Sequence, residues 1–385
     1  MPDVRAGIPA PIGLLIVGAE QFGYLTDTRR YVQDLGPGYR ITVVCWDYGL
    51  ERADPGAATV VYVPRGRGRL RRLARLLRAA HRELRPGRQD LAFIVHLPGS
   101  SLLRLAHLRV PMILDIRSSS IRSSTLAAWL GNLMIRLDSV FFRCCTVVSA
   151  GTARALGIDG QKVHVVPVGG ESFTTRKHTF DGLRLLYVGT LDHRDIPATV
   201  RAAGRYAREN GKRITYDIVG FGSSDEETRL RGTMEEEGPA VAVTFHGRIP
   251  HHRLGMVFER ATVGVVYVPQ RAEYEDQPPT KLFEYLLSGL PVIATNTRAT
   301  ADVVRAENGE LVNATEESFA EGLGRIDRRL AGFDEQRIRS SADAWRWERI
   351  VREKLHPALQ EALRSRRDDA SRRRAPSPAP GGSTG

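Results

Sequence analysis

Short apolar runs alternate with segments of helical periodicity along the whole chain. In the first half, the apolar runs are rich in Val, Ile and Leu and are bounded by Gly, Pro or Asp. Continuous runs of this length are typical of strands that are covered on both faces, so they predict a parallel sheet. Helical patterns such as 66–85 and 123–143 separate them. The predicted strands are 12–19, 41–46, 59–63, 91–97, 111–116, 145–150 and 163–168.

The same pattern restarts in the second half of the chain. At roughly 150 residues per domain, a chain of 385 residues has room for two domains. We therefore expect an α/β protein of two Rossmann-like, doubly wound domains that face one another across a cleft. The predicted strands of the second array are 183–189, 215–220, 241–247, 263–268 and 291–295.

Composition along the chain suggests where the domains begin and end. We expect a first domain over 1–168 and a second over 183–340, joined by a polar linker over 169–182 that has no clear period. Apolar residues at helical spacing predict a C-terminal helical segment, 341–365. The remaining 366–385 lacks large apolar residues, which predicts a disordered tail.

The composition also excludes several classes of protein. No run of about 18 apolar residues occurs, so no membrane-spanning helix is predicted. The run 12–19 is expected to be a buried strand rather than a signal peptide, because polar sequence follows it without a clear cleavage site. Cys45, Cys144 and Cys145 cannot form a disulfide framework, and we expect them to be buried in a protein of the reducing cytoplasm.

The segment 276–295 predicts a loop, a short helix and a buried strand. Thr280 is the expected N-cap, and the helix should end before Gly289. Free amides and the positive dipole end of such a helix can hold an anion. Glu284, one turn into the helix, could bind a pair of ribose hydroxyls, or it could be a solvated carboxylate.

This segment resembles the signature of the retaining glycosyltransferases of family 4. The resemblance rests on Asp276 and Glu284, separated by seven residues, and on the sequence FEYLLSGLPVIAT from Phe283 onward. It implies the GT-B fold and a nucleotide-diphosphate sugar as donor. The sugar would be transferred with retention at the anomeric carbon and without a metal ion. Glu284 would then bind the ribose. The family usually has Glu where this chain has Asp276, and that residue would lie near the donor sugar.

Other segments resemble the same family in the expected order. Gly189 ends a predicted strand that resembles the first strand of the family's donor domain. Arg194 lies where the family places a cation for the donor pyrophosphate. Arg248 and Ile249 follow the strand that runs beside the nucleobase. The segment 307–312 resembles a later, hairpin-like turn of the family.

The family resemblance also suggests which side chains act on the donor. Arg194 and Lys281 would stabilise the leaving diphosphate, and Thr280 and Leu282 would contact the donor at the helix start. From the residues alone, Arg194 could instead form an ion pair with its neighbours Asp192 and Asp195. Lys281 could equally point to solvent.

The first domain offers candidate residues at the ends of three predicted strands. Gly18 and Gly23 lie in the loop after the first strand, which borders acceptor and donor phosphates in GT-B enzymes, although GxGxxG is absent. His96 and Asp115 are candidate acceptor or sugar contacts. Arg117 stands where the family often has a His that contacts the donor sugar. The alternatives are a local ion pair between Asp115 and Arg117, and a His96 whose hydrogen bonds are satisfied internally.

The charge of the chain is concentrated in its first half. The net charge is +12, of which residues 1–170 carry +11. The segment 65–88 contains ten Arg and one acid, Glu83. It predicts an amphipathic basic helix, which could be a solvated helix, a contact with anionic membrane, or a non-specific nucleic-acid surface. Its predicted apolar stripe is Leu70, Leu73, Leu77, Ala80 and Leu84.

No sequence motif points to a metal or a separate cofactor. CxxC, HExxH and DxD are absent, and so is the GxSxG of nucleophile elbows. We expect a glycosyltransferase acting on a glycan, a lipid-linked saccharide or a small molecule. The alternatives are a sugar-nucleotide epimerase of the same fold and a non-catalytic basic protein that binds membrane or nucleic acid.

Overall fold

The chain divides into two units in a computed structural model that describes residues 10–119 and 125–374. The first unit combines the described residues up to Val148, Ala153–Val166 and the described residues from Val351 onward. The second combines Ser149–Thr152 with Pro167–Ile350. The first unit is therefore discontinuous in sequence, and the predicted C-terminal helix belongs to it rather than standing apart.

Each unit contains one sheet in which all paired strands run parallel. The strands are β1 Ile12–Val17, β2 Tyr39–Asp47, β3 Thr59–Pro64, β4 Leu91–Val95, β5 Met112–Ile116, β6 Cys144–Val147, β7 Val163–Val165, β8 Arg184–Thr190, β9 Ile214–Phe221, β10 Val241–Gly247, β11 Val263–Val266, β12 Val292–Thr295 and β13 Gly309–Val312. The first sheet has the order β3-β2-β1-β4-β5-β6-β7 and the second the order β10-β9-β8-β11-β12-β13. These are doubly wound orders, so the predicted pair of Rossmann-like domains is confirmed.

Helices connect the strands in both units. The α-helices are α1 Thr26–Asp34, α2 Arg69–Glu83, α3 Ser100–Ala106, α4 Thr125–Val140, α5 Ala150–Leu156, α6 Ile196–Asn210, α7 Ser224–Glu237, α8 Gly255–Arg260, α9 Ala272–Glu275, α10 Thr280–Leu287, α11 Arg298–Ala301, α12 Glu316–Asp327, α13 Glu335–Ser341, α14 Trp347–Ile350 and α15 His356–Arg374. A π-helical turn, Val351–Leu355, precedes α15. Short 3₁₀ turns are Gly36–Gly38, Gly160–Lys162, His251–Arg253, Leu330–Gly332 and Asp343–Trp345.

The core of the first unit lies between its sheet and the helices on either face. Leu76 of α2, Leu103 of α3 and Ile135 of α4 join one buried cluster with the strands. These three helices therefore cover the same face of the sheet. Cys45, Cys144 and Cys145 are buried free thiols, as predicted, and burial raises the pKa of each.

In the second unit, α6 and α12 pack on one face of the sheet through a large apolar cluster. On α10, the Tyr285 ring lies against Gly264 of β11, where any Cβ would overlap with it. The Tyr285 hydroxyl accepts a hydrogen bond from the Val188 amide of β8 at 2.8 Å. These contacts fix α10 against the two central strands of the sheet.

Three sequence expectations differ from the structure. Residues 307–312 contain a strand, β13, that pairs in parallel with β12 instead of forming a hairpin-like turn. The segment 169–182 is part of the second unit, where the Gly170 amide bonds the Trp345 carbonyl at 2.8 Å. The last helix continues to Arg374, where a tail was predicted from residue 366, and 375–385 lies outside the described residues. In the described part of the chain, no helix is both long and apolar enough to span a membrane.

Candidate functional site

The carboxyl edge of the second sheet gathers most of the predicted donor residues. β8 lies between β9 and β11, so the chain leaves β8 and β11 in opposite directions. Doubly wound sheets bind ligands at such a switch point. The loop after β8 carries Arg194, and the loop after β11 leads through Asp276 to α10.

Arg194 lies in a tight turn between two residues of left-handed backbone, His193 with φ 60° and Asp195 with φ 47°. Its neighbouring acids are held elsewhere. Asp192 Oδ1 accepts from the Ser223 amide at 2.7 Å, and Asp195 pairs with Arg229 at 2.6 Å. The local ion pair that the sequence allowed is therefore not formed.

The Arg194 guanidinium instead lies over the Tyr274 ring, 4.4 Å from its centroid. Its Nη1 atom is buried and has no hydrogen-bond partner among the described residues. A buried guanidinium nitrogen without an acceptor is unfavourable, and an anion would satisfy it. The geometry thus favours the phosphate alternative for Arg194.

The start of α10 differs in detail from the prediction. The N-cap position is Pro279, and Thr280 is the first helical residue. Leu282 does not offer a ligand contact, because its side chain is fully buried and its amide donates to the Pro279 carbonyl at 3.0 Å. The structure therefore does not support Leu282 as a donor contact. The helix ends before Gly289, whose φ of 84° suits glycine, as predicted.

Lys281 and Glu284 contact each other through Nζ and Oε2. Glu284 is only 1% exposed, so it is not the solvated carboxylate that the sequence allowed. Lys281 remains partly accessible and lies 5.4 Å from the centre of the Phe173 ring. A buried carboxylate requires a compensating partner, and Lys281 provides it in this structure.

Asp276 is neutralised by Arg298, a residue that the sequence analysis missed. The Arg298 guanidinium donates from Nε and Nη2 to the two carboxylate oxygens of Asp276, at 3.0 and 2.8 Å. Gly151 packs so closely on the Asp276 side chain that a Cβ there would overlap with it. Arg298 could have been suspected because it follows β12 and so reaches the same edge of the sheet.

Arg248 forms an exposed platform with Phe221. Its guanidinium lies 3.8 Å from the centre of the Phe221 ring, and both side chains are exposed. Ile249 beside it is half-buried. Gly189 is the next-to-last residue of β8 and pairs with Gly220 of β9. A Cβ on Gly220 would overlap with the Gly189 carbonyl. These two glycines allow a close approach of β8 and β9.

In the first unit, Arg117 is part of a buried ionic cluster. Its guanidinium contacts Asp27 of α1, donates to the Val166 carbonyl at 3.3 Å and lies 3.6 Å from Asp115. Burial raises the pKa of Asp115 to about 6, while Arg117 and a 2.6 Å hydrogen bond from Thr146 oppose the rise. The cluster fits the local-ion-pair alternative, although its direct partner, Asp27, was not foreseen.

His96 has its ring hydrogen bond satisfied within the first unit. Its Nε2 lies 3.1 Å from Asp138 of α4, and the Ser101 hydroxyl donates to the same carboxylate at 2.6 Å. Burial opposes ionisation of Asp138, but the hydrogen bonds from His96 and Ser101 hold its pKa below the usual range. His96 therefore positions α4 through Asp138.

The two glycines of the first loop have different roles. Gly23 has a φ of 92°, and a Cβ there would overlap with Ala53, so packing and backbone conformation both require glycine. The Gly18 amide donates to the Val44 carbonyl at 3.0 Å, and the space where its Cβ would lie is open. Of the two, Gly18 leaves room beside the backbone.

Both units match known sequence families. Residues 182–327 match the family Glycosyl transferases group 1, and residues 24–169 match the Glycosyl transferase 4-like domain. The two matches together cover more than half of the chain, which therefore belongs to the glycosyltransferases described by these two families. The resemblance noted around Asp276 and Glu284 is therefore confirmed at the level of the family, and the GT-B fold with it.

A curated relative agrees with this family membership. A D-inositol 3-phosphate glycosyltransferase of Acidothermus cellulolyticus is 28% identical over 240 residues, which cover 57% of this chain and 52% of the relative. The chain thus spans about half the length of that curated relative.

Solved structures share the fold over nearly the whole chain. Sucrose-phosphate synthase from Thermosynechococcus elongatus is 18% identical, with a TM-score of 0.69, and the match covers 94% of this chain and 100% of that one. HepE of Anabaena, in complex with UDP and glucose, is 13% identical, with a TM-score of 0.71 and coverage of 91% and 100%. At these identities the likeness concerns the fold.

Proposed function

We propose that this protein transfers a sugar from a nucleotide-diphosphate sugar to an acceptor, and that its second unit binds the donor. The observation that carries the proposal is the Arg194 guanidinium, which has a buried nitrogen without a partner among the described residues. Arg194 stands at the switch point of the sheet, where ligands bind in this class of fold. A diphosphate would supply the acceptor atom that this nitrogen lacks.

In this proposal, donor binding exchanges the partners of Lys281 and Glu284. The ribose hydroxyls donate hydrogen bonds to the Glu284 carboxylate, and the Lys281 ammonium turns toward the diphosphate. Each charge then keeps a partner, which the buried carboxylate requires. The Thr280 amide and the dipole of α10 add positive potential at the same place.

The reaction follows from the charge that these groups hold. The bond from the anomeric carbon to the diphosphate oxygen breaks, and a bond to the acceptor oxygen forms on the same face of the sugar, with retention. Arg194 and Lys281 stabilise the negative charge that grows on the diphosphate. A phosphate oxygen of the leaving group takes the acceptor proton, so the proposal needs neither a metal nor an enzyme base. Asp276 contacts the donor sugar.

The nucleobase is proposed to lie against Arg248 and Phe221. A base has flat faces, and the exposed pair offers a ring and a guanidinium that can stack on it. The acceptor is proposed to bind the first unit, at the sheet edge that carries His96 and Arg117. The buried free cysteines suit a reducing compartment, and we place the reaction in the cytoplasm.

The proposal is tested by incubating the protein with UDP-, GDP-, dTDP- and ADP-sugars, with and without acceptors. The names of the similar proteins suggest UDP-glucose and inositol 3-phosphate as the first compounds to try. We expect release of nucleoside diphosphate that depends on the acceptor. A donor whose sugar changes configuration without release would instead indicate an epimerase. Failure of every nucleoside diphosphate to raise the melting temperature would contradict donor binding.

A further inference from the structure

The outer surface of α4 is apolar. Its exposed side chains recur every three or four residues, so they form one stripe along the helix. Six of them are between 49% and 68% exposed, which is unusual for large apolar residues that repeat on one face. They are Leu126, Trp129, Leu130, Met134, Leu137 and Val140.

The orientation of α4 is fixed by its opposite face. Ile135 is buried in the core of the first unit, and Asp138 is buried against His96 and Ser101. Turning the apolar stripe inward would expose Ile135 and break the Asp138 hydrogen bonds. The stripe therefore faces outward because the helix has another face that packs.

The apolar surface continues onto α3. Leu102 and Leu105 of α3 and Leu108 just after it are at least half exposed. Because α2, α3 and α4 cover the same face of the sheet, their outer sides form one surface. We call this the outer surface of α2, α3 and α4.

On α2 this surface is basic. The side chains that pack on the core are Leu73, Leu76, Leu77, Ala80 and Leu84. Leu70, which the sequence predicted to belong to the apolar stripe of this helix, is 83% exposed. Leu76, which is buried, was missing from that prediction. The exposed arginines of the helix are Arg69, Arg71, Arg75, Arg78 and Arg82.

Acidic residues are scarce across the whole surface. In the sequences of α2, α3 and α4 the acids are Glu83 and Asp138, and Asp138 is buried. Arg104 of α3, together with Arg109 and Arg143 just after α3 and α4, lines a cavity of about 90 Å³ that Glu361 also lines. The surface thus combines a positive potential with exposed apolar side chains.

We propose that the outer surface of α2, α3 and α4 docks on an anionic lipid bilayer. The apolar stripe of α4 would enter the boundary between headgroups and acyl chains, to a depth of roughly 5–10 Å. Trp129 is suited to that boundary, and the arginines of α2 would meet anionic headgroups. A second copy of this chain fits less well, because it would bring an equally basic surface against this one, whereas anionic headgroups complement its charge.

This proposal does not rest on the proposed reaction, and vesicle binding tests it directly. The full chain is mixed with two kinds of vesicle, one of phosphatidylcholine alone and one that also contains roughly 30% phosphatidylglycerol. The phosphatidylglycerol gives the second kind a negative surface potential. We expect sedimentation with the anionic vesicles and a blue shift of tryptophan fluorescence. Trp129→Phe should abolish most of the shift while binding persists, because Trp46, Trp345 and Trp347 are less exposed.

Two sets of substitutions separate the apolar and the basic contributions. Leu126→Gln, Leu130→Gln and Leu137→Gln together should weaken binding at least tenfold at every salt concentration. Arg71→Glu, Arg75→Glu, Arg78→Glu and Arg82→Glu together should remove the preference for anionic vesicles. Leu50→Gln with Met256→Gln, also at exposed apolar positions, is the control and should leave binding unchanged.

Three results would overturn the proposal. The first is a parent protein that does not bind anionic vesicles. The second is vesicle binding that survives the three Gln substitutions on α4 in a folded variant. The third is a parent protein that is a dimer and does not bind vesicles, and that becomes a monomer in the α4 variant, which would make the surface a contact between copies of this chain.

Discussion

At the scale of single residues, the buried Glu284 carboxylate is in contact with the Lys281 ammonium. Lys281→Met would leave the Glu284 charge buried without this partner, which lowers the free energy of unfolding by about 1–3 kcal/mol. Lys281→Met combined with Glu284→Gln removes both charges and should restore much of the loss. Urea denaturation of the two variants checks this.

Exposed Lys212, which pairs with Asp327, provides the control for that cycle. Lys212→Met should change the free energy of unfolding by less than about 1 kcal/mol. If the double variant at Lys281 and Glu284 is as unstable as the single one, the pair does not compensate a buried charge. Glu284→Gln should in addition weaken binding of the nucleoside diphosphate, as measured by calorimetry.

Arg194 should act on the growing charge of the transition state. Arg194→Ala is therefore expected to lower turnover about 100-fold and donor affinity much less. Arg205→Ala removes an exposed arginine of the same unit, paired with Glu209, and serves as the control. Steady-state release of nucleoside diphosphate gives both quantities, and an equal loss in turnover and affinity would make Arg194 a ligand of the ground state alone.

Asp115 should make the stability of the first unit depend on pH. Burial raises its pKa to about 6 from 3.8, so the folded state keeps a proton that the unfolded state loses between about pH 4 and 6. The free energy of unfolding therefore falls as pH rises through this window. At about 1.4 kcal/mol per pKa unit, the fall is roughly 3 kcal/mol.

Asp115→Asn lacks this proton and checks the prediction by chemical denaturation at several pH values. The free energy of unfolding of the variant, relative to the parent, should rise between pH 4 and 6 and then stay level. A difference that is constant over the window would show that Asp115 titrates normally.

Sequence reasoning reached these residues to different degrees. Arg194 and Glu284 could be named because a family motif and a strand end mark them. The outcome for Arg194 depended on Ser223 and Arg229, which hold its acidic neighbours and lie far away in sequence. Asp27 could not be assigned to Arg117 from the sequence, because Asp27 lies on α1 and Arg117 follows β5, and only the folded first unit brings the two together.

At the scale of elements, the position of α10 depends on a glycine in the neighbouring strand. Gly264→Ala would place a Cβ into the Tyr285 ring, which must shift and carry α10 with it. We expect a loss of at least about 1–3 kcal/mol in the free energy of unfolding and weaker binding of nucleoside diphosphate. Thermal denaturation and calorimetry measure the two effects.

Gly232→Ala in α7 is the matched control, because open space surrounds the position of its Cβ. Alanine in a helix interior should stabilise the protein slightly. A Gly264→Ala variant as stable as Gly232→Ala would mean that α10 does not depend on this contact.

Elements were predicted well where the hydrophobic period was unambiguous. The buried strands have runs of Val, Ile and Leu and were found within a few residues of their bounds. β13 was missed because it is short, lies at the sheet edge and contains Gly309 and Glu310. The outward stripe of α4 could not be predicted, because an apolar helix in a sequence is expected to be buried.

At the scale of the whole molecule, the first unit is completed by residues from Val351 onward. His356 Nδ1 lies 3.2 Å from the Tyr39 hydroxyl, to which Gln360 donates at 3.1 Å, and α15 contacts β4, β5 and β6. A chain that ends at Leu355, and so lacks α15, should therefore show faster amide hydrogen exchange in the first sheet than the parent protein. Binding of nucleoside diphosphate should change less than about threefold, because the second unit ends at Ile350.

A chain shortened at Arg364 keeps Ala358, Leu359 and Ala362, which are buried, and provides the control. It should exchange like the parent protein. Equal acceleration in both sheets of the shorter chain would show that α15 stabilises the two units alike.

The return of the chain to its first unit has a consequence for synthesis on the ribosome. Roughly 180 residues separate Val166 from Val351, and translation at about 5–20 residues per second needs about 10 to 40 s to add them. During this delay the nascent first sheet lacks the helix that covers β4, β5 and β6. The second unit, almost continuous in sequence, can fold as soon as it emerges. The N-terminal part of the chain is thus made first and completed last, and in the interval a chaperone has an uncovered apolar face to bind.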